Sequence, residues 1–381
     1  MKQVTDVAIV GGGVIGCALA YQLRRRGIDV TVVERGEIGA EASSAATGLL
    51  APIRPFLKPQ DTYMRLQLDS LALFPSLVPE LEDASGISIE YQSTGTLRIV
   101  QARHEGRLHT WIELWRQRGF HMELLSGTGL HLFEPLLANH VNAAIYNPDE
   151  PQLSAASLVK AYARAAENLG AAILAHTPVT GILRCGNSAA GIVTPEGEIA
   201  CNHLIIAAGA WAATCGEWLN LPLPVRPLRG QCFAILQPAS PLRRIIFGER
   251  AYLAPKADGT IFVGATRDEV GFDNSTTAEG IASLREAVQH LAPQLATCEV
   301  KRSWAGLRPQ TPDSRPILGP APGWENVILA CGHGGFGMLL SAITAQLLVE
   351  FLITGHLPSP LAPFGLERFP QTQQGVPIYA V

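Results

Sequence analysis

A strand running into Gly11-Gly12-Gly13-Val14-Ile15-Gly16, a second apolar strand ending in Glu34, and alternating strands between residues 225 and 264 predict an α/β chain, α+β overall. A Rossmann-type dinucleotide-binding domain is interleaved with a substrate domain on a large antiparallel or mixed sheet. The expected division gives 1–84, 142–222 and 304–381 to the nucleotide domain, and 85–141 with 223–303 to the substrate domain.

The first element is Val7-Ala8-Ile9-Val10, apolar and mostly β-branched, as a buried strand requires. Gly11 permits the tight turn that follows. Gly13 removes a side chain that would hold the backbone away from a pyrophosphate, and Gly16 lets the next helix lie close to the strand. That helix opens at Val14 and Ile15, whose end of the helix offers free N–H groups and a positive dipole to an anion. It carries Arg24 to Arg26 and stops at Gly27. Val30-Thr31-Val32-Val33 is the second strand, and Glu34 ends it eighteen residues past Gly16, where the fingerprint expects an acidic ribose ligand. A carboxylate there accepts hydrogen bonds from both ribose hydroxyls and repels a 2′-phosphate. An adenosine diphosphate with a free ribose is therefore expected at residues 11–34, as in FAD or NAD.

The run 36–52 is rich in small residues, which let backbone wrap a large ligand, and hydroxyls on Ser43, Ser44 and Thr47 can reach phosphate or ring oxygens. Residues 60–84 read as a helix with Leu66, Leu68, Leu71, Leu73 and Phe74 on one face; Tyr91 to Val100 alternates as a strand, and Thr110 to Arg118 reads as a helix stopped by Gly119. Ser154 caps an amphipathic helix that ends before Gly170. A later apolar strand, His203 to Ile206, ends in Ala207-Ala208-Gly209-Ala210, a second close approach of backbone to a dinucleotide. Strands then alternate through Gln231–Leu236, Ala251–Pro255 and Ile261–Gly264, with a hairpin turn at Asp258-Gly259, before a helix near Ser283–Leu291. The last chemical stretch runs from a strand at Val327 into Gly332-His333-Gly334-Gly335-Phe336-Gly337-Met338 and opens a helix. A helix start aimed at a ring edge stabilises negative charge, such as that of a reduced flavin.

Composition narrows the class. The chain has 381 residues, 47% hydrophobic and 16% charged, enough for about two cores and too apolar for disorder. A net charge of −4 with dispersed cations argues against a nucleic-acid partner. Seven scattered cysteines lack metal spacing and read as free thiols of a reducing compartment; the N-terminus enters a strand too soon for a signal peptide, so a cytoplasmic location is expected. Residues 327–349 are uncharged apart from His333, but their four glycines favour strand followed by helix over a membrane span.

These blocks, together with Glu34-Arg35-Gly36, Ser43-Ser44-Ala45-Ala46-Thr47-Gly48, Pro227-Leu228-Arg229-Gly230-Gln231, Val263-Gly264-Ala265-Thr266, Trp304-Ala305-Gly306-Leu307-Arg308-Pro309 and Gly332-His333, resemble the D-amino-acid-oxidase-like family of FAD enzymes over nearly the whole chain. Within it the resemblance is to the glycine oxidase branch of thiamine biosynthesis. It implies non-covalent FAD, hydride transfer from the substrate α-carbon to flavin N5, an imine that hydrolyses, and reoxidation by O₂ to H₂O₂. It implies Arg308 as the anchor of the substrate carboxylate, for which a guanidinium offers a planar fork, and Tyr252 in the same pocket. The FAD-binding set it implies is Gly11, Gly13, Val14, Ile15, Gly16, Glu34, Arg35, Ser43, Ser44, Thr47, Gly48, Leu49, Val179, Ala208, Gly209 and His333 through Met338. His333 is expected to act through its backbone rather than as a base.

The family typically reads Gly-His-Phe-Arg-Asn-Gly where this chain has Gly332-His333-Gly334-Gly335-Phe336-Gly337, so an arginine is missing there. Arg267 stands where the family often has an apolar residue and Arg250 lies two before Tyr252; both are candidate substrate contacts for a larger or more acidic amino acid, the alternative being that they are solvated strand ends. The expected substrates are glycine, sarcosine or small D-amino acids; the rival is a dehydrogenase of the same fold that passes electrons to a quinone or protein. An aromatic-ring hydroxylase and a non-catalytic nucleotide-binding module share only the first motif. The expected partners are a small amino acid and O₂, with no nucleic acid, no membrane span, no metal, and homo-oligomerisation left open.

Overall fold

The computed structural model describes residues 3–54, 61–100 and 105–370. One sheet has the order Ile317–Pro320, Val327–Cys331, Gly197–Ile206, Gln3–Val10, Val30–Val33, Ala172–Leu174. Its neighbours are parallel except for the antiparallel first pair. A hairpin, Gly181–Cys185 with Ser188–Thr194, adds to Gly197–Ile206. The first strand explains the layers. Val7 and Ile9 enter a core shared with the helices Val14–Arg25, Thr62–Ser85, Ala155–Asn168 and Gly337–Thr354, whereas Ala8 and Val10 enter a second core with the helix Ala212–Leu219. A strand segment covered on both faces must be apolar at every position, as Val7 to Val10 are.

The segment 327–349 divides as expected into the strand Val327–Cys331 and the helix Gly337–Thr354. Gly334–Thr354 is long and apolar enough to cross a membrane, but much of it is buried against the helices Val14–Arg25 and Thr62–Ser85. Packing on several sides accounts for its lack of a polar face.

The other sheet has the order Val300–Gln310, Arg226–Leu236, Thr260–Gly264, Tyr252–Pro255, Ile245–Phe247, Thr96–Ile99, Ala143–Asn147, Glu123–Ser126. Only the pair Ile245–Phe247 with Thr96–Ile99 is parallel. Three elements differ from the sequence expectation. The alternating stretch from Tyr91 forms a ladder strand only over Thr96–Ile99, because Gln92 is pinned to Gln152 and Gly95 turns the chain at φ +67°. The helix expected at Thr110–Arg118 is Glu105–Arg116, closing in a turn at Gly119 with φ +86°. The helix expected near Ser283 begins at Ala278, where the Thr277 side chain accepts a hydrogen bond from Gly280 N at 3.1 Å. In addition, residues 304–310, assigned by sequence to the nucleotide domain, pair in register with Arg226–Leu236 and so belong to the second sheet.

Candidate active site

The nucleotide turn is built by contacts that leave no room for side chains. Gly11 has φ +111°, donates to Val33 O at 2.9 Å, and a Cβ there would sit 2.5 Å from Ala207 O. A Cβ on Gly16 would overlap the Gly11 carbonyl. These two glycines therefore shape the turn, and Gly13, whose Cβ would meet only Ser43 Oγ at 3.3 Å, leaves the approach open. Val14 N donates to Ser43 Oγ at 3.0 Å. The helix has no acidic side chain of its own in its first turn. Glu34 accepts from Gly12 N at 2.8 Å and from Gly36 N at 2.9 Å, which fixes its carboxylate against the turn.

A cavity of about 510 Å³ runs from this turn to the second sheet. Gly13, Val14, Ile15, Ser43, Thr47, Gly48, Leu49, Gly209 and His333 to Met338 line it, as do Arg308, Tyr252, Arg250 and Arg267. Gly48 is required by crowding, since a Cβ would overlap Leu153 O at φ +83°. A long trough with glycines at each backbone approach, anion-directed N–H groups at one end and a helix start at Gly337 along it fits FAD.

The far wall carries the substrate candidates. Arg308 comes from Val300–Gln310, and its Nη1 donates to Thr266 O at 3.0 Å. Its guanidinium lies against Gly230, where any Cβ would collide with it. It forms no ion pair among the described residues. The Tyr252 hydroxyl hydrogen-bonds Thr47 Oγ1 and stands 3.7 Å from Cys232 Sγ. Gly264 leaves space for that hydroxyl. Burial pushes its pKa well above the ordinary tyrosine value, so the group stays protonated.

His333 lines the cavity but its ring is 3% exposed and packs back on the helix, with Nε2 at 3.2 Å from Thr344 Oγ1. Burial lowers its pKa from 6.5 to about 3, so the ring is neutral. The folded state thus resists a proton that the unfolded chain accepts. Stability is full above about pH 6.5 and declines as pH falls toward 3, by up to ~1.4 kcal/mol per pH unit from this group. His333→Gln removes that share of the decline, which denaturant titrations between pH 7 and 4 on both proteins measure.

Gly11, Gly16, Glu34, Arg35, Ser44, Val179 and Ala208 do not line the cavity. Arg35 lies over the Trp211 ring at 3.6 Å and pairs with Glu41 at 2.9 Å. Ser44 donates to Ala40 O at 2.7 Å, while Val179 and Ala208 pack on the second core. Sequence reasoning missed Arg54, Arg98, Phe247 and Lys256. Arg54 stands over the Phe336 ring at 4.8 Å, and Arg98 over Phe247 at 4.2 Å while paired with Glu150. Lys256 donates to Thr47 O at 2.6 Å, Gln152 Oε1 at 3.0 Å and Leu153 O at 3.2 Å, and burial lowers its pKa to about 8. A lone lysine after a strand gives no signal of this role; the cluster exists only where segments around Thr47 and Gln152 meet the end of the strand Tyr252–Pro255. No group of three or more metal-ligating side chains occurs among the described residues.

Residues 6–351 match the family model described as FAD dependent oxidoreductase. The chain is 35% identical to a glycine oxidase of Geobacillus kaustophilus over 95% of this chain and 97% of that protein. A crystal structure of glycine oxidase from the same species superposes with a TM-score of 0.90 at 34% identity, covering 97% and 100% of the two chains. Hydrogen cyanide synthase subunit HcnC of Pseudomonas aeruginosa is 32% identical over the full length of both. Iminodiacetate oxidase from Chelativorans sp. BNC1 superposes with a TM-score of 0.85 at 25% identity over 94% and 98%.

Proposed function

The chain belongs to the FAD-dependent oxidoreductase family, and we propose that it oxidises the Cα–N bond of glycine, sarcosine or a small D-amino acid. The imine hydrolyses to a 2-oxo acid, and O₂ takes the electrons to give H₂O₂. The observation that carries this reading is Arg308, a guanidinium with no carboxylate partner among the described residues, on the wall of the cavity that the glycine-rich segments line.

Arg308 offers its fork to the α-carboxylate, and Thr266 O and Gly230 hold the fork in place. Tyr252, fixed by Thr47, presents a neutral hydroxyl beside it. The arginines around the cavity disfavour a bound ammonium, so the substrate amine gives its proton to solvent and no side-chain base is needed. Bound FAD, held non-covalently, supplies the two-electron acceptor for the α-carbon hydride. Residues Gly13 to Ile15, Ser43 and His333 to Met338 would hold it along the cavity, with Glu34, outside that lining but fixed beside the glycine turn, on the ribose.

Sheet membership supports a division into an FAD-binding domain (1–84, 142–222, 304–381) and a substrate-binding domain (85–141, 223–303), with Ala143–Asn147 and residues 304–310 moved to the latter. Seven free cysteines support a reducing, cytoplasmic location.

The test is the purified protein mixed anaerobically with glycine, sarcosine, D-alanine or D-proline. The expected result is a yellow protein bleached by amino acid, and one H₂O₂ per turnover in air. Bleaching by none of them overturns the reading. Bleaching without peroxide assigns the electrons to a quinone or protein acceptor instead.

A further inference from the structure

Four arginines, Arg54, Arg250, Arg267 and Arg308, line one cavity; the first three are exposed and the last is half-buried, and none has an ion-pair partner among the described residues. The carboxylates around them are committed elsewhere. Asp268, next in sequence to Arg267, accepts from Arg229 at 3.3 Å, Gln231 at 2.8 Å and Thr266 at 2.7 Å. Asp61 takes Arg315 at 2.6 Å, and Glu150 takes Arg98 at 2.9 Å. Glu249 lines the same wall.

Three of the four converge. Arg308 passes against Gly335, Arg54 lies over Phe336, and Arg267 follows the Thr266 carbonyl that holds Arg308. Partial burial lowers the proton affinity of Arg54, and the like charges of Arg98 and Arg267 lower it further against the opposing pull of Tyr63 and Asp61, which places Arg267 within electrostatic reach of Arg54. The glycine-rich loop at 334–337 has no arginine of its own, so this charge comes from other strands and loops. A cofactor pyrophosphate would use the helix start at Gly13–Val14. One arginine suffices for an α-carboxylate; Arg54 and Arg267, hydrated and without a carboxylate partner among the described residues, are left available to a second anionic group of the ligand.

Building on the amino-acid reading above, we propose that the preferred substrate is a small amino acid with a second carboxylate, Arg308 holding the α-carboxylate and Arg54 with Arg267 holding the other. The second carboxylate sits either on the amine substituent, as in iminodiacetate, or on the side chain, as in D-aspartate. A guanidinium pair recognises it by charge-assisted hydrogen bonds that neutral substrates cannot make.

The test measures kcat/KM of the holoenzyme for sarcosine, D-alanine, iminodiacetate and D-aspartate, and the Kd of malonate against acetate from the perturbed flavin spectrum. A dicarboxylate is expected to exceed its monocarboxylate counterpart about 10–100-fold, and malonate to bind more tightly than acetate by a similar factor. Iminodiacetate ahead of D-aspartate places the second anion on nitrogen, and the reverse order places it on the side chain. In Arg267→Gln and Arg54→Gln both preferences fall about 10–100-fold while FAD content holds. Equal rates for mono- and dicarboxylates overturn the proposal and leave amino-acid oxidation standing. A lowered FAD content in both variants, with the malonate preference intact in the fraction that keeps its flavin, overturns it by assigning the arginines to the cofactor. No flavin reduction by any amino acid removes the parent reading, and the proposal with it.

Discussion

Replacing Arg308 with alanine lowers kcat/KM for every amino acid the enzyme oxidises by about 10²–10³-fold, mostly through KM. The cause is geometric as well as electrostatic. The guanidinium is wedged beside Gly230 and tied to Thr266 O at 3.0 Å, so its fork is fixed before substrate arrives and little rotamer entropy is lost on binding. Arg308→Lys recovers only part of the loss, because an ammonium meets a carboxylate as a point charge. Steady-state kinetics with parallel flavin spectra check this. A variant that keeps its flavin and its KM would show that the carboxylate is held elsewhere.

The second large effect lies beneath the cavity. Glu150 is fully buried and accepts from Ile53 N at 2.7 Å, Thr96 Oγ1 at 2.6 Å and Arg98 Nη2 at 2.9 Å. Glu150→Ala strands the buried Arg98 charge and two further donors, and costs about 3–5 kcal/mol in urea denaturation. The double replacement Arg98→Met with Glu150→Leu removes both charges and costs less than the single change. A loss under ~1 kcal/mol for Glu150→Ala would mean that water reaches the site and solvates Arg98.

The sequence made local chemistry legible. A strand, three spaced glycines and a carboxylate at Glu34 carry their meaning within a few dozen residues, because turn geometry and helix phase are set by neighbours in the chain. The cap at Ser154 and the turn at Asp258-Gly259 were readable for the same reason. Arg54, Arg98 with Glu150, and Lys256 were not, since each acquires its role from a partner on another element. The short parallel pairing of Thr96–Ile99 with Ile245–Phe247 was equally hidden, as register between distant strands leaves no local periodicity. Arg250 and Arg267 stood out only by departing from the family pattern, and the fold places both on the cavity wall.

The helix Gly337–Thr354 covers the nucleotide-turn helix Val14–Arg25 from the opposite end of the chain. During vectorial synthesis the ribosome makes the first strand and helix early, and their cover emerges roughly 15–60 s later at ~5–20 residues per second. Ala155–Asn168 packs on the same helix sooner, so the nascent nucleotide site waits that long with only the part of its apolar face that meets Gly337–Thr354 open. A chain released before Gly337 would present that face permanently and partition into the insoluble fraction, whatever the integrity of its glycine turn.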